Sequence, residues 1–222
     1  MKVLLFGASG MVGKAVLREC LLDARVNEVL AVGRGASGST RPKLRDLVLR
    51  DLFRIAEHAD ELTGYDACFF CLGVSSAGMT EAEYTHLTYE LTLAIANVLA
   101  ARNPNMTFIY VSGAGTDTSE KGRSMWARVK GKTENALLQL PFKAAFMLRP
   151  GAIQPQHGVR SKTRQYQLFY DVAGWLLPLM KRLFPGLVTN SEQMGIAMIE
   201  LASHGGAKRI LETRDINQIQ RS

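Results

Sequence analysis

Gly7-Ala8-Ser9-Gly10-Met11-Val12-Gly13 is the stretch on which the reading of this chain turns. It follows a short apolar run, Lys2 to Phe6, and leads into Lys14-Ala15-Val16-Leu17-Arg18, which has helical character. Glycines placed between a strand and a helix let the chain turn tightly, let the backbone approach a bound group closely, and let the helix pack on the strand. The helix that opens there presents unpaired N–H groups and the positive end of its dipole. Those features fit a diphosphate, so the whole segment Gly7 to Gly13 is expected to hold the pyrophosphate of a dinucleotide.

Outward from this loop, short apolar runs alternate with longer segments of helical period. Strands are expected at Lys2–Phe6, Glu28–Val32, Leu47–Arg50, Ala67–Leu72, Thr107–Ser112 and Ala144–Leu148, with helices between them. That order predicts an α/β fold, a Rossmann-type doubly wound parallel sheet covered on both faces. Thr80 with Glu83 has capping-box spacing and opens a helix that runs to about Arg102, ahead of Pro104. Thr189 with Glu192 repeats the spacing and opens a helix to about Ser203, stopped by Gly205 and Gly206. The 222 residues, 47% of them hydrophobic, suffice for one sizeable core and read as a single domain, with 152–190 as a small lobe over the ligand.

The second strand runs out in Ala31-Val32-Gly33-Arg34. At that place an acidic residue normally meets the ribose hydroxyls of NAD, whereas a guanidinium pairs with the 2′-phosphate of NADP. NADP(H) is therefore the expected cofactor, with NAD(H) remaining open. Asp51 and Leu52, after the third strand, are expected to border the adenine.

Net charge is +7, but the Lys and Arg residues are scattered and form no basic block, so no nucleic-acid partner is expected. Three cysteines, Cys20, Cys68 and Cys71, form no disulfide framework and fit a reducing compartment, which reads as cytoplasmic. The apolar start is too short for a leader peptide and runs straight into the glycine loop. The apolar run Val172–Met180 is broken by Gly174 and Pro178, so no transmembrane helix is expected. Cys68 and Cys71 point to opposite faces of a strand and read as packing, not as a redox pair. His58, His86, His157 and His204 are too dispersed for a metal site. The turn-rich stretch Gln154–Arg164 reads either as an acid-recognising lip or as a solvated loop, and Leu168–Leu187 as a pocket lid, a dimer face or a membrane-surface helix.

The segments GASGMVG, AVGR, YDACFFCLG, YVSGAG, WARVKGKTE and LRPGAIQP, in this order over roughly Met1 to Pro155, give the chain its likeness to known proteins. It resembles the atypical short-chain dehydrogenase/reductases, the NAD-dependent epimerase/dehydratase-like group, and within them the Tat-interacting oxidoreductase-like proteins. The resemblance implies that Cys71-Leu72-Gly73 lies against the cofactor's ribose and pyrophosphate and that Pro150-Gly151-Ala152 flanks the nicotinamide. It implies a catalytic role for Ser112 and makes Lys130 the lysine of the family's Tyr-x-x-x-Lys motif. The tyrosine position holds Trp126, whose indole only donates and does not titrate. Proton transfer then falls to Lys130, to Tyr166 or Tyr170 of the lobe, or to no residue at all. The expected function is an NADP(H)-dependent oxidoreductase on an unidentified small molecule, as monomer or homodimer; the alternative is a non-catalytic NADP(H)-binding regulator or assembly factor.

Overall fold

The structure, a computed structural model, describes residues 1–156 and 186–222. Its strands are β1 (Lys2–Phe6), β2 (Glu28–Gly33), β3 (Leu44–Val48), β4 (Ala67–Phe70), β5 (Thr107–Val111), β6 (Ala144–Arg149), β7 (Ala152–Gln154), β8 (Val188–Asn190) and β9 (Ile210–Glu212). The helices are α1 (Met11–Leu22), α2 (Glu81–Thr85), α3 (Leu91–Arg102), α4 (Met125–Gln139), α5 (Ser191–His204) and α6 (Thr213–Gln218). Seven strands form one parallel sheet in the order β3-β2-β1-β4-β5-β6-β9, while β7 and β8 pair separately. The order reverses between β1 and β4, which leaves a crevice beyond the carboxyl ends of those strands.

Side-chain alternation along the strands builds two cores. Val3, Leu5, Ala31, Phe69, Ile109 and Leu148 face Val16 and Cys20 of α1 and Met194 and Met198 of α5. On the opposite face Leu4, Phe6, Val32, Phe70, Phe108 and Met147 meet Ile55, Ile95, Leu99 and Leu137. Because both faces are buried, the inner strands read as unbroken apolar runs, and the doubly wound arrangement was legible for that reason.

The sheet's borders differ from expectation. β3 pairs with β2 from Leu44 to Val48, three residues earlier than its predicted start. It is an edge strand carrying Arg45 and Asp46, so no apolar run marks it. β9 and α6 were not foreseen, because three residues are too few to show a pattern; β9 nevertheless extends the sheet beyond β6. The Thr80–Glu83 capping box forms as predicted, and the helix it opens passes through a π-helical turn, His86–Glu90, before continuing as α3. The second box does not form. Thr189 stays in β8, paired with Ile153, and the cap of α5 is Asn190, whose side-chain oxygen accepts from the Gln193 N–H at 2.7 Å. Among the described residues no helix is long and apolar enough to cross a membrane.

Packing at the opening loop is tight. A β-carbon on Gly13 would lie 2.0 Å from the Gly7 carbonyl oxygen. Gly7 itself has φ of +84°, and a β-carbon there would lie 2.7 Å from the Cys71 backbone. Gly13→Ala should therefore cost about 1–3 kcal/mol through overpacking. Gly35→Ala, at a position with nothing within 4 Å, should stay within ~0.5 kcal/mol of wild type. Urea denaturation of the two variants checks this, and equal stabilities would remove the packing argument.

Candidate functional site

A cleft of about 700 Å3 opens at the carboxyl ends of the parallel strands. One wall is the loop after β1 and the start of α1, with Gly7, Ser9, Gly10, Met11 and Val12, and Arg34 arrives from the end of β2. The segment Cys71 to Ser76 after β4 lies along it. The other wall comes from Val111–Ala114, Trp126, Lys130, Pro150, Gly151 and Ile153, with Tyr84 of α2 alongside.

At the first wall no described side chain caps the start of α1. Gly10 caps α1 without a side-chain hydrogen bond, and the first turn of α1 contains no acidic residue. The leading N–H groups have no intrahelical acceptor. A β-carbon on Gly10 would meet only the Gly7 oxygen, at 3.4 Å, and one on Gly73 would meet nothing within 4 Å. Packing thus demands glycine at 7 and 13 but not at 10 or 73, where the bare backbone faces the cleft. These residues fit a diphosphate-bearing ligand. Arg34 lines the same cleft, and no described carboxylate pairs with it.

The second wall centres on Lys130. Its ammonium donates to the carbonyl oxygens of Ser112 at 3.0 Å and Val111 at 3.4 Å, and lies 5.5 Å from the centre of the Tyr110 ring. Gly131 lets α4 come this close, since a β-carbon there would strike the Asp117 carbonyl at 1.8 Å. Burial pulls the Lys130 ammonium down to about 8, opposed by the nearby Glu134 carboxylate. The amine therefore exchanges its proton within reach of neutral pH. Ser112 also borders the cleft, but its hydroxyl donates inward, to Glu134 at 2.5 Å, with the Leu148 carbonyl at 3.2 Å.

Several expected site residues lie elsewhere. Asp51 caps the short 3-10 helix Leu52–His58 by accepting from the Phe53 N–H at 2.9 Å, and Leu52 is buried in the core, so neither borders the cleft. Ala8 is buried, and Gly13 packs on Gly7. Ala152 starts β7 and is not part of the lining, although Gly151 and Ile153 are. Cys68 and Cys71 join opposite cores as free thiols; burial pushes the Cys71 thiol up to about 12, far from a reactive thiolate. Tyr166, Tyr170, residues 157–164 and nearly all of Leu168–Leu187 lie outside the described residues.

Val74, Ser75, Ser76, Tyr84, Gly113, Ala114 and Ile153 line the cleft without having been anticipated. Small residues in a loop carry no periodicity that marks them. Tyr84 reads from sequence as one more apolar position on a capped helix.

Comparison with known proteins agrees with this geometry. The model of the NAD dependent epimerase/dehydratase family matches residues 3–123. Protein fmp52, mitochondrial, from Emericella nidulans is 28% identical over 205 residues, covering 89% of this chain and 85% of the relative. Protein HTATIP2 from Rattus norvegicus is 26% identical over 153 residues, covering 68% and 62%. Among solved structures, a short chain dehydrogenase from Burkholderia cenocepacia J2315 in complex with NADP superposes with a TM-score of 0.65 at 13% identity, over 95% of this chain and 86% of that one. The cytoplasmic expectation is overturned, because the Emericella relative is named as a mitochondrial protein. Free thiols report a reducing environment, not a particular compartment.

Lys130 gives the site a measurable pH signature. Its folded value near 8 lies below the ordinary lysine value of 10.5, so between these limits the unfolded chain binds more protons. Stability should therefore rise with pH across that window and show no Lys130 contribution to the slope below it. Urea denaturation of wild type and Lys130→Met at pH 7, 8.5 and 10 tests this. The wild type should gain on the variant only above about pH 8, and parallel curves throughout would disprove the assignment.

Proposed function

The chain belongs to the NAD dependent epimerase/dehydratase family, as an atypical short-chain dehydrogenase/reductase, and on that premise we propose that it binds NADP(H) in preference to NAD(H) and acts as an oxidoreductase on a small molecule. The observation that carries this reading is one cleft holding the start of α1 and Arg34, neither met by a described side chain, together with the depressed Lys130. The NADP named in the Burkholderia complex accords with it.

The first wall binds. Backbone N–H groups at Met11 and Val12 meet the diphosphate, and the Arg34 guanidinium meets the 2′-phosphate in a charge-assisted contact. Gly10 and Gly73 let the backbone approach closely. When bound, the nicotinamide dinucleotide supplies hydride transfer.

Proton handling falls to Nζ of Lys130. A general acid works best with a pKa near the operating pH, and burial has brought this amine to about 8. Its contacts with the Val111 and Ser112 carbonyls hold it at the end of β5. Trp126 supplies a flat apolar side and one N–H donor, but no titrating group. Pro150 and Gly151 close the same end of the cleft.

A second reading, a cofactor-binding regulator or assembly factor without turnover, is favoured by two observations. Trp126 stands in the tyrosine position, and the Ser112 hydroxyl is turned toward Glu134. Under either reading a mitochondrial setting is supported by the Emericella relative's name.

Calorimetry with NADPH and NADH tests the binding half. Arg34→Ala should weaken NADPH by about ten- to a hundredfold, roughly 1.5–3 kcal/mol, and leave NADH nearly unchanged; equal losses would remove the 2′-phosphate contact. NADPH oxidation against enones, aldehydes and quinones tests the chemistry. Lys130→Met should lower turnover by about a hundredfold or more. A protein that binds NADPH yet turns over none of these compounds supports the regulator.

A further inference from the structure

Glu134 lies one helical turn after Lys130 on α4 and its side chain is wholly buried, at 0% exposure. It accepts from the Ser112 hydroxyl at the end of β5. It also takes a two-pronged contact from Arg149 at the end of β6, with Nε at 3.1 Å from both carboxylate oxygens and Nη2 on Oε2. Arg149 reaches on to Thr118 Oγ1 at 2.6 Å and Glu212 at 3.3 Å. Directly beyond Arg149, the Pro150 carbonyl accepts from the Ala114 N–H at 2.8 Å, and the Gly151 N–H donates to Thr213 Oγ1 at 2.8 Å. The second wall of the cleft is thus tied from behind to a single carboxylate.

We propose that Glu134 is a positioning residue for this site: it fixes the ends of β5 and β6 through Ser112 and Arg149, and its negative charge governs the electrostatics at the Lys130 amine. The groups around Lys130 support the second half. On its own helix it has Glu134; from β5 come Tyr110 and the Val111 and Ser112 carbonyls, and Tyr84 of α2 shares a small side pocket with it. Tyr110 is buried and its phenol is raised well above the ordinary range, so it stays neutral. Glu134 is then the one described charge acting on Lys130. Arg149 offsets part of that charge and is itself shared with Thr118 and Glu212.

The experiment follows the full-length chain with lysines labelled at the ε-carbon, the Lys130 resonance being assigned by its loss in Lys130→Met. In Glu134→Gln the proton affinity of Lys130 should fall by about three- to tenfold, while Glu134→Asp, which keeps the charge, should stay near wild type. Should Glu134→Gln fail to fold with Arg149 left unpaired, the double variant Glu134→Gln/Arg149→Met removes both charges together and should show a smaller fall in the same direction. A Lys130 midpoint unmoved in these variants, with only the melting temperature lowered, would reduce Glu134 to a packing role and overturn the proposal. A second arm rests on the proposed cofactor reading: NADPH affinity in Glu134→Gln should begin to fall at lower pH than in wild type. The resonance arm needs no cofactor, so wild type that fails to bind NADPH sinks the functional reading and leaves the Glu134 test standing.

Discussion

Gly13 sits against the carbonyl of Gly7 with no room for a side-chain atom between them. That approach brings the first turn of α1 directly over the end of β1, and the rest of the cleft is arranged around the result. With α1 drawn in, its leading amides open onto the crevice between β1 and β4, where the strand order reverses. Gly7 contributes the other half of the constraint. Its positive φ turns the chain beside the Cys71 backbone, so the segment after β4 is held against the loop after β1. A helix dipole acts on an anion only within its first turn, so the close approach at Gly13 decides where that end of α1 is presented.

The second wall is built on a different principle. Glycine contacts position the first; at the second, ionic and hydroxyl contacts add to the close approach at Gly131. Glu134 and Arg149 sit inside the fold, where an ion pair is costly to bury and still costlier to leave half-made. Their value here is geometric, because they join α4 to the ends of β5 and β6 and to the loop before α4, one helical turn beyond Lys130. The cleft thus has one wall of open backbone amides and another in which a buried carboxylate stands one helical turn from a lysine.

Much of the architecture could be read from sequence because the inner strands are covered on both sides and leave unbroken apolar runs, as in Val3–Phe6 and Ala67–Phe70. The glycine loop was legible for a related reason: at Gly7 and Gly13 backbone contacts leave no room for a side chain. Legibility failed where local pattern is weak or where a long-range contact decides. Thr189 offers a plausible cap, but pairing with Ile153 holds it in β8 and passes the role to Asn190. Asp51 and Leu52 follow a strand at the expected distance, yet one caps a short helix and the other enters the core. Ser112 was found as a position but not as an orientation, since nothing in the local sequence shows that its hydroxyl meets a glutamate twenty-two residues on. Placing Lys130 needed only the motif, whereas its depressed proton affinity needed the burial that the fold creates.

The two rims of the main sheet carry one more implication. β9 is three residues long and passes at once into α6, while β3 carries the adjacent charged residues Arg45 and Asp46. A short rim and a charged one are poor templates for a foreign strand. Self-association by sheet extension is therefore discouraged at both borders, and any assembly of this chain with copies of itself is steered toward its helical flanks.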